Sequence, residues 1–224
     1  MQNNRTLREK VYAYLRRELA RGNFRTGSFI DQNKICEQLK ISRAPLRDAL
    51  IQLEAERFVQ ILPRRGVRIN KLSLEDIMNS YGVLAAIESY VVASVFHKFK
   101  PSHIKHMEDL NQRLYEMLDS NQWETYFQLN LKFHDIFLLL SDNTLVREIV
   151  YPLKQRLYDF PRMRYDREWE LFSLNEHKRF IHSVKAGNRD AAVAVIRYEH
   201  WDFDLHRDKI IKIYGFKQGT DFKK

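Results

Sequence analysis

The sequence predicts a mainly α protein in two parts: three helices and a β-hairpin over residues 1–70, then an all-α helical bundle over residues 71–224. Three observations carry this expectation. Apolar residues recur at three- and four-residue steps along most of the chain, and alternation replaces that rhythm only around Val59, Ile61, Val67 and Ile69. Charge is also divided unevenly, with fifteen Lys/Arg against seven Asp/Glu in residues 1–70 and twenty-three against twenty-two in the remainder. With 224 residues, 44% of them hydrophobic, the chain can bury one small core and one larger one.

The first helix spans about Leu7 to Ala20, with Val11, Leu15 and Leu19 on one narrow face. Asp31 can cap a second helix whose Ile35, Cys36 and Leu39 pack on a third, after a tight turn through Lys40 and Ile41. Ser42 is placed to cap that third helix, which starts near Arg43. Pro45 is tolerated in its first turn, where the missing N–H has no partner to lose. Leu46, Ala49, Leu50 and Leu53 form the face to be buried and leave Arg43, Ala44 and Arg47 on another. Beyond Arg57 two alternating stretches flank Pro63-Arg64-Arg65-Gly66, the pattern of a β-hairpin with a basic tip.

Two short helices, a turn and a basic hairpin make a winged helix-turn-helix, three helices plus a β-hairpin wing. In such motifs the start of the second helix of the pair meets base edges in the major groove, and a guanidinium can bond guanine O6 and N7 together. Arg43 and Arg47 fit that role. The plain alternative is that these arginines only solvate a helix, but the concentration of positive charge in residues 1–70 favours a polyanion. A membrane surface would attract the same charge, yet the narrow apolar face of the first helix is needed for the small domain's own core.

The boundary between the two parts falls near Asn70-Lys71-Leu72. Beyond it helices are expected from Ser73 to about Lys98, Ser102 to Asp119, Trp123 to Ser141, Thr144 to Arg164, Leu174 to Ala186 and Arg189 to Ile213. Ser173 and Glu176 form a capping-box pattern, and Gly187-Asn188 is a stop and restart. Cys36 is the lone cysteine, Met1–Lys10 is polar, and no apolar run reaches the ~18–20 residues of a spanning helix, so a cytoplasmic protein is expected. No Gly-rich phosphate loop, nucleophile elbow or His-Glu-x-x-His pattern is present in the sequence, and an enzyme is not expected.

The stretch from Ile30 through Gly66, and Ile41 to Leu50 above all, resembles the GntR family of bacterial transcription regulators, in its FadR-like (FCD) branch. That resemblance implies a DNA-binding domain over 1–70 and an effector-binding and dimerisation domain over 71–224. The implied partners are double-stranded DNA carrying a palindromic operator, a small-molecule metabolite effector and a second copy of the chain, with repression as the outcome. By the same resemblance Asn33, Ser42, Arg43, Ala44, Pro45, Arg47, Arg64, Arg65 and Gly66 occupy DNA-contact positions, although the family commonly has an acidic residue where this chain has Asn33.

Asn130 and His134 are four apart and share a helix face, and His177 follows on a later helix. Family members often use an Asp or Asn and three histidines at such positions to hold a divalent ion. Here the fourth position falls on Glu199, with His200 one residue further and rotated by about 100°. The apolar side formed by Ala192, Val195 and Ile196 turns Glu199 inward better than His200. The expected set is therefore Asn130, His134, His177 and Glu199, suited to Zn²⁺, Mn²⁺ or Ni²⁺, with His200 as the other candidate for the last place. Against metal stands an ordinary interior pair, His134 and His177 satisfied by Asn130 and Glu199. His97, His103, His106, His182 and His206 lack a partner pattern.

Where the family often has an arginine four residues before the glutamate matched by Glu88, this chain has Leu84, so an acidic effector is not implied. Tyr81, Tyr126 and Arg156, with Tyr151 and Tyr158, are candidates to line an effector site or simply to fill the core. Two other functions fit parts of the pattern: a metal-dependent hydrolase or lyase using the bundle residues, and a dimeric DNA-binding protein that responds to no ligand.

Overall fold

A computed structural model describes residues 6–20, 22–159 and 166–216. Among these, the residues up to Ser73 and from Gln155 to Asp159 form one compact unit, and those of Leu74–Lys154 and from Asp166 onward form another.

In the first unit α1 (Leu7–Ala20) buries Val11, Leu15 and Leu19 against α3 (Arg43–Ala55), whose Leu46, Ala49, Leu50 and Leu53 are all buried. Between them lies α2 (Gln32–Leu39). Asp31 caps α2 as expected, its carboxylate accepting from Lys34 N at 3.0 Å. Lys40 adopts a left-handed conformation and lets Ile41 N reach Cys36 O at 3.0 Å, which is the tight turn into α3. Ser42 stands at the N-cap of α3, but its hydroxyl makes no capping bond, a correction to the sequence reading that leaves an exposed hydroxyl at the helix start.

The hairpin pairs β1 (Val59–Leu62) with β2 (Gly66–Ile69), antiparallel, with Leu62 opposite Gly66. Pro63 is followed by Arg64 at positive φ and Arg65 N bonds Leu62 O, the arrangement of a type II turn. Gly66 has φ +102, a region open to glycine, which explains its place after the two arginines. The sequence reading missed a third strand-like contact: Phe29 bridges Arg68, so β2 is flanked on both sides. Glu54 of α3 accepts from Ile61 N at 2.6 Å and ties the hairpin to the helix that carries Arg43 and Arg47.

Because Leu50 is 1% exposed, Leu50→Ala is expected to remove about 2–5 kcal/mol from the stability of this unit. Urea unfolding followed by far-UV circular dichroism checks this, and a loss under about 1 kcal/mol would contradict the packing described.

The second unit is helical throughout its described residues apart from connecting turns. Its elements are α4 (Leu74–Val95, extended by a short 3₁₀ turn), α5 (Pro101–Asp119), α6 (Trp123–Leu138), α7 (Thr144–Asp159, whose last residues group with the first unit), α8 (Arg167–Lys185), α9 (Arg189–Val195) and α10 (Phe203–Tyr214). Helix α5 packs on α6 and α8, while α4 packs on α6, α9 and α10.

Two of the expected helices differ markedly from the structure. Helix α8 begins seven residues before Leu174, because Asp166 caps it by accepting from Trp169 N. The Ser173/Glu176 pattern is therefore interior to the helix, and Glu176 is used elsewhere. The expected helix from Arg189 to Ile213 is broken: α9 passes into a π-turn over Ile196–His200, and Asp202 caps α10 anew through Leu205 N. The end expected for the helix after Thr144, residues 160–164, lies outside the described residues.

Candidate nucleic-acid interface and metal centre

The head of α3 presents Ser42, Arg43, Ala44 and Arg47 to solvent, with Pro45 half-buried beneath them. Arg43 and Arg47 are one helical turn apart. Arg43 Nη2 donates to Asn33 Oδ1 of α2, so the structure gives Asn33 the job of holding this guanidinium. Arg64 and Arg65 are exposed at the hairpin tip, and Arg68 is exposed on β2, bonded to Gln60. These five exposed guanidinium groups and the N-terminal amides of α3 thus belong to one small positively charged unit, which can neutralise phosphates and offer donors to base edges.

In the second unit three histidines meet. His134 comes from α6, His177 from α8 and His200 from the π-turn. All three are buried, their ring centroids are 4.9–5.5 Å apart, and the ligating nitrogens they offer lie within 4.8 Å of one another. Each Nδ1 faces an oxygen: His134 meets Glu88 Oε2 at 2.8 Å, His177 meets Asn111 Oδ1 at 3.2 Å, and His200 meets Glu176 Oε2 at 2.9 Å. Asn111 Nδ2 donates to Leu174 O, which fixes its oxygen as the acceptor for His177. Such partners place the proton on Nδ1 and the lone pair on Nε2.

The outer ring of partners is itself anchored. Glu88 is completely buried and accepts from Lys154 Nζ and Trp201 Nε1, each at 2.8 Å. Glu176 is shared with His206, whose Nε2 also donates to Glu199 O, while Trp169 Nε1 donates to His206 Nδ1. Phe133 stacks on His177 with centroids 3.9 Å apart and walls that side of the cluster.

Electrostatics follow from this packing. Burial opposes a charge on Glu88, but His134 and Lys154 more than offset it and hold the carboxyl well below its usual range. Burial pushes His134 down to about 3, aided by Lys154 and opposed by Glu88, and it pushes His177 well below the ordinary imidazole value. Burial likewise opposes the charge on Glu176, but hydrogen bonds from His200 and His206 bring its carboxyl down to about 2. Neutral imidazoles backed by ionised carboxylates are the state in which histidine ligates a cation.

The residues fit such a cation on an observation independent of kinship. His134 Nε2 and His177 Nε2 are buried and have no hydrogen-bond partner among the described residues, an arrangement that costs free energy unless something takes the lone pairs.

Of the four residues expected there, Asn130 stands one turn before His134 on α6 and is buried, and His134 and His177 join the cluster. Glu199 does not. It pairs with Arg179 through Nε at 2.7 Å, and His200 takes the inward place. The cause is the π-turn: Trp201 N bonds Ile196 O five residues back, so one additional residue is absorbed and the inward register moves from 199 to 200.

Tyr81 and Tyr126 are core residues, Tyr81 edge-on to Trp201 and Phe203, and Tyr126 edge-on to Trp123 and Phe127. Arg156 is buried in the segment that groups with the first unit. Sequence reasoning missed Asn111, Lys154 and His206 and read Glu176 as a cap. Each acts across a long separation in the chain, which local spacing does not signal.

Residues 7–69 match the family of bacterial regulatory proteins termed gntR, and residues 79–202 match the FCD domain. The chain is similar to the HTH-type transcriptional repressor RspR of Escherichia coli (strain K12), 25% identical over 157 residues that cover 70% of this chain and 68% of RspR. It is also similar to the gluconate operon transcriptional repressor of Bacillus subtilis (strain 168), 26% identical over 219 residues that cover 93% and 87% of the two chains. Its fold is similar to that of E. coli McbR/YncC, with a TM-score of 0.72 at 16% identity over 94% of this chain and 98% of that one. With both stretches matched, the chain belongs to the GntR family of bacterial regulatory proteins, in the branch that carries an FCD domain, and is a transcriptional regulator.

Proposed function

We propose that residues 1–70 bind an operator in double-stranded DNA and that residues 71–224 hold a divalent metal ion, bind a small metabolite and pair with a second copy of the chain. The observation that carries the DNA reading is the exposed pair Arg43 and Arg47, one turn apart at the start of α3. In this reading Arg43 and Arg47 meet base edges, and Asn33 holds Arg43 in position. Ser42 and the α3 amides meet phosphate, Ala44 and Pro45 allow close approach, and the wing brings Arg64 and Arg65, with Gly66 shaping its turn. Two copies would read a palindrome whose halves lie a whole number of helical turns apart. The names of the relatives, repressors among them, support repression.

The metal reading rests on the converging Nε2 atoms of His134, His177 and His200, with Asn130 on the same face of α6 to offer its carbonyl oxygen. With Glu199 outside the set, no ligand carboxylate draws the site toward Mn²⁺, and a donor set of imidazoles favours Zn²⁺ or Ni²⁺. A divalent ion held by these residues would supply Lewis acidity toward an electron-rich group of a metabolite. A metabolite that binds one arrangement of the bundle more tightly than another would shift operator affinity by its differential affinity.

Two measurements test the reading together. The purified protein is expected to enrich a palindromic duplex from a random pool, and elemental analysis is expected to find one Zn²⁺ or Ni²⁺ per chain. Enrichment of no duplex overturns the DNA assignment, and a chain that takes up neither ion from solution overturns the metal assignment.

A further inference from the structure

Lys154 is a fully buried lysine in the heart of the FCD bundle, and the ion-binding role proposed above does not by itself require it. Burying an ammonium is costly unless it is paired and hydrogen-bonded, so its presence calls for a local reason. Its Nζ lies 2.8 Å from Glu88 Oε1 and 5.5 Å from the centroid of the Trp201 ring. The other oxygen of the same carboxylate accepts from His134 Nδ1 and from Trp201 Nε1. Glu88 is therefore gripped at both oxygens, and the plane of its carboxylate is set by donors from α7, α6 and the residue after the π-turn. The His134 ring is aimed by that carboxylate.

The companion histidines are aimed differently. His177 relies on a neutral amide that is itself held by a backbone carbonyl, and His200 relies on Glu176, which is shared with His206. Among the described residues only the Glu88 arm has a fully buried ammonium behind it.

We infer that Lys154 is a positioning residue of the metal centre, which acts through the Glu88 carboxylate to hold His134 Nε2 on the ion. The inference rests on the metal reading above and adds to it a residue two hydrogen bonds removed from the ligand. Loss of an outer partner of a metal-bound histidine typically weakens metal affinity 10- to 100-fold. A shorter or apolar side chain at 154 frees Glu88 to swing toward Trp201 and releases the His134 ring, whereas arginine can still reach Oε1 with a charged N–H.

Co²⁺ is the probe, titrated into the metal-stripped full-length chain and read by its visible d–d bands, with Zn²⁺ competition giving affinities. Wild type is expected to bind one Co²⁺. Lys154→Met is expected to weaken binding about 10- to 100-fold and to shift the d–d bands, while Lys154→Arg recovers most of both. Thermal unfolding of the metal-free variants reports folding separately. Should Lys154→Met fail to fold, the double variant Lys154→Met, Glu88→Gln removes the stranded carboxylate and is expected to show the same loss of affinity. Wild-type affinity and spectrum in either of these folded variants would overturn the role given to Lys154. A wild-type chain that binds no Co²⁺ would instead overturn the metal reading on which it rests.

Discussion

Replacing His200 by alanine is expected to abolish metal loading under conditions where wild type is saturated, while Glu199→Ala leaves loading unchanged. The two residues are neighbours, yet His200 is buried beside His134 and His177, whereas Glu199 pairs with Arg179 at the surface. Removing one of three imidazole ligands should exceed the 10- to 100-fold cost of losing an outer partner. An ion present at 1,000 times its dissociation constant stabilises the folded state by about 4 kcal/mol, so chelation or His200→Ala should lower the melting temperature of wild type by on the order of 10 °C. Elemental analysis and thermal unfolding with and without chelator measure both effects. Equal loss in the two variants, or loss only in Glu199→Ala, would mean that the helix does not carry the π-turn in solution.

That contrast also shows where the sequence stopped being legible. The winged unit could be read from residues because its signals are local: Asp31 caps within three residues, the Leu46-to-Leu53 face repeats within one helix, and Pro63 to Gly66 carry turn chemistry in adjacent positions. His134 and His177 could be found for the same kind of reason, through spacing on a helix and resemblance. The last ligand could not, because an ideal 3.6-residue period places 199 inward and nothing in Ile196–His200 announces a π-turn. The outer partners were hidden by distance. Lys154 reaches Glu88 across 66 residues, and Trp201 reaches it across 113, so helix packing alone brings them together.

The second large effect is expected at the other end of the chain. Arg47→Ala should cost about 1–3 kcal/mol of discrimination, roughly 5- to 150-fold, between a duplex enriched by the protein and a scrambled one of equal length. Arg47 is exposed, lies one turn beyond Arg43, and stands on a helix held by the buried Leu46, Ala49, Leu50 and Leu53, so its loss should leave the fold intact. Arg65→Ala at the wing is expected to weaken both duplexes alike and to lower the salt slope by about one unit, as loss of a phosphate contact does. Asn33→Ala is expected to resemble a milder Arg43→Ala, because it removes the oxygen that holds that guanidinium. Fluorescence anisotropy with the two duplexes separates these outcomes. If Arg47→Ala weakened both duplexes equally, its contact would be with phosphate and base reading would fall to Arg43.

The most direct test of the central claim, that the α3 head and its wing grip a DNA duplex, is the affinity of the wild-type chain for its enriched duplex across a series of salt concentrations. The account requires tight binding in dilute buffer that falls linearly on a log–log plot with a slope of several units, and a scrambled duplex bound far more weakly at every salt. Binding that is absent even in dilute buffer, or that does not respond to salt, would contradict it.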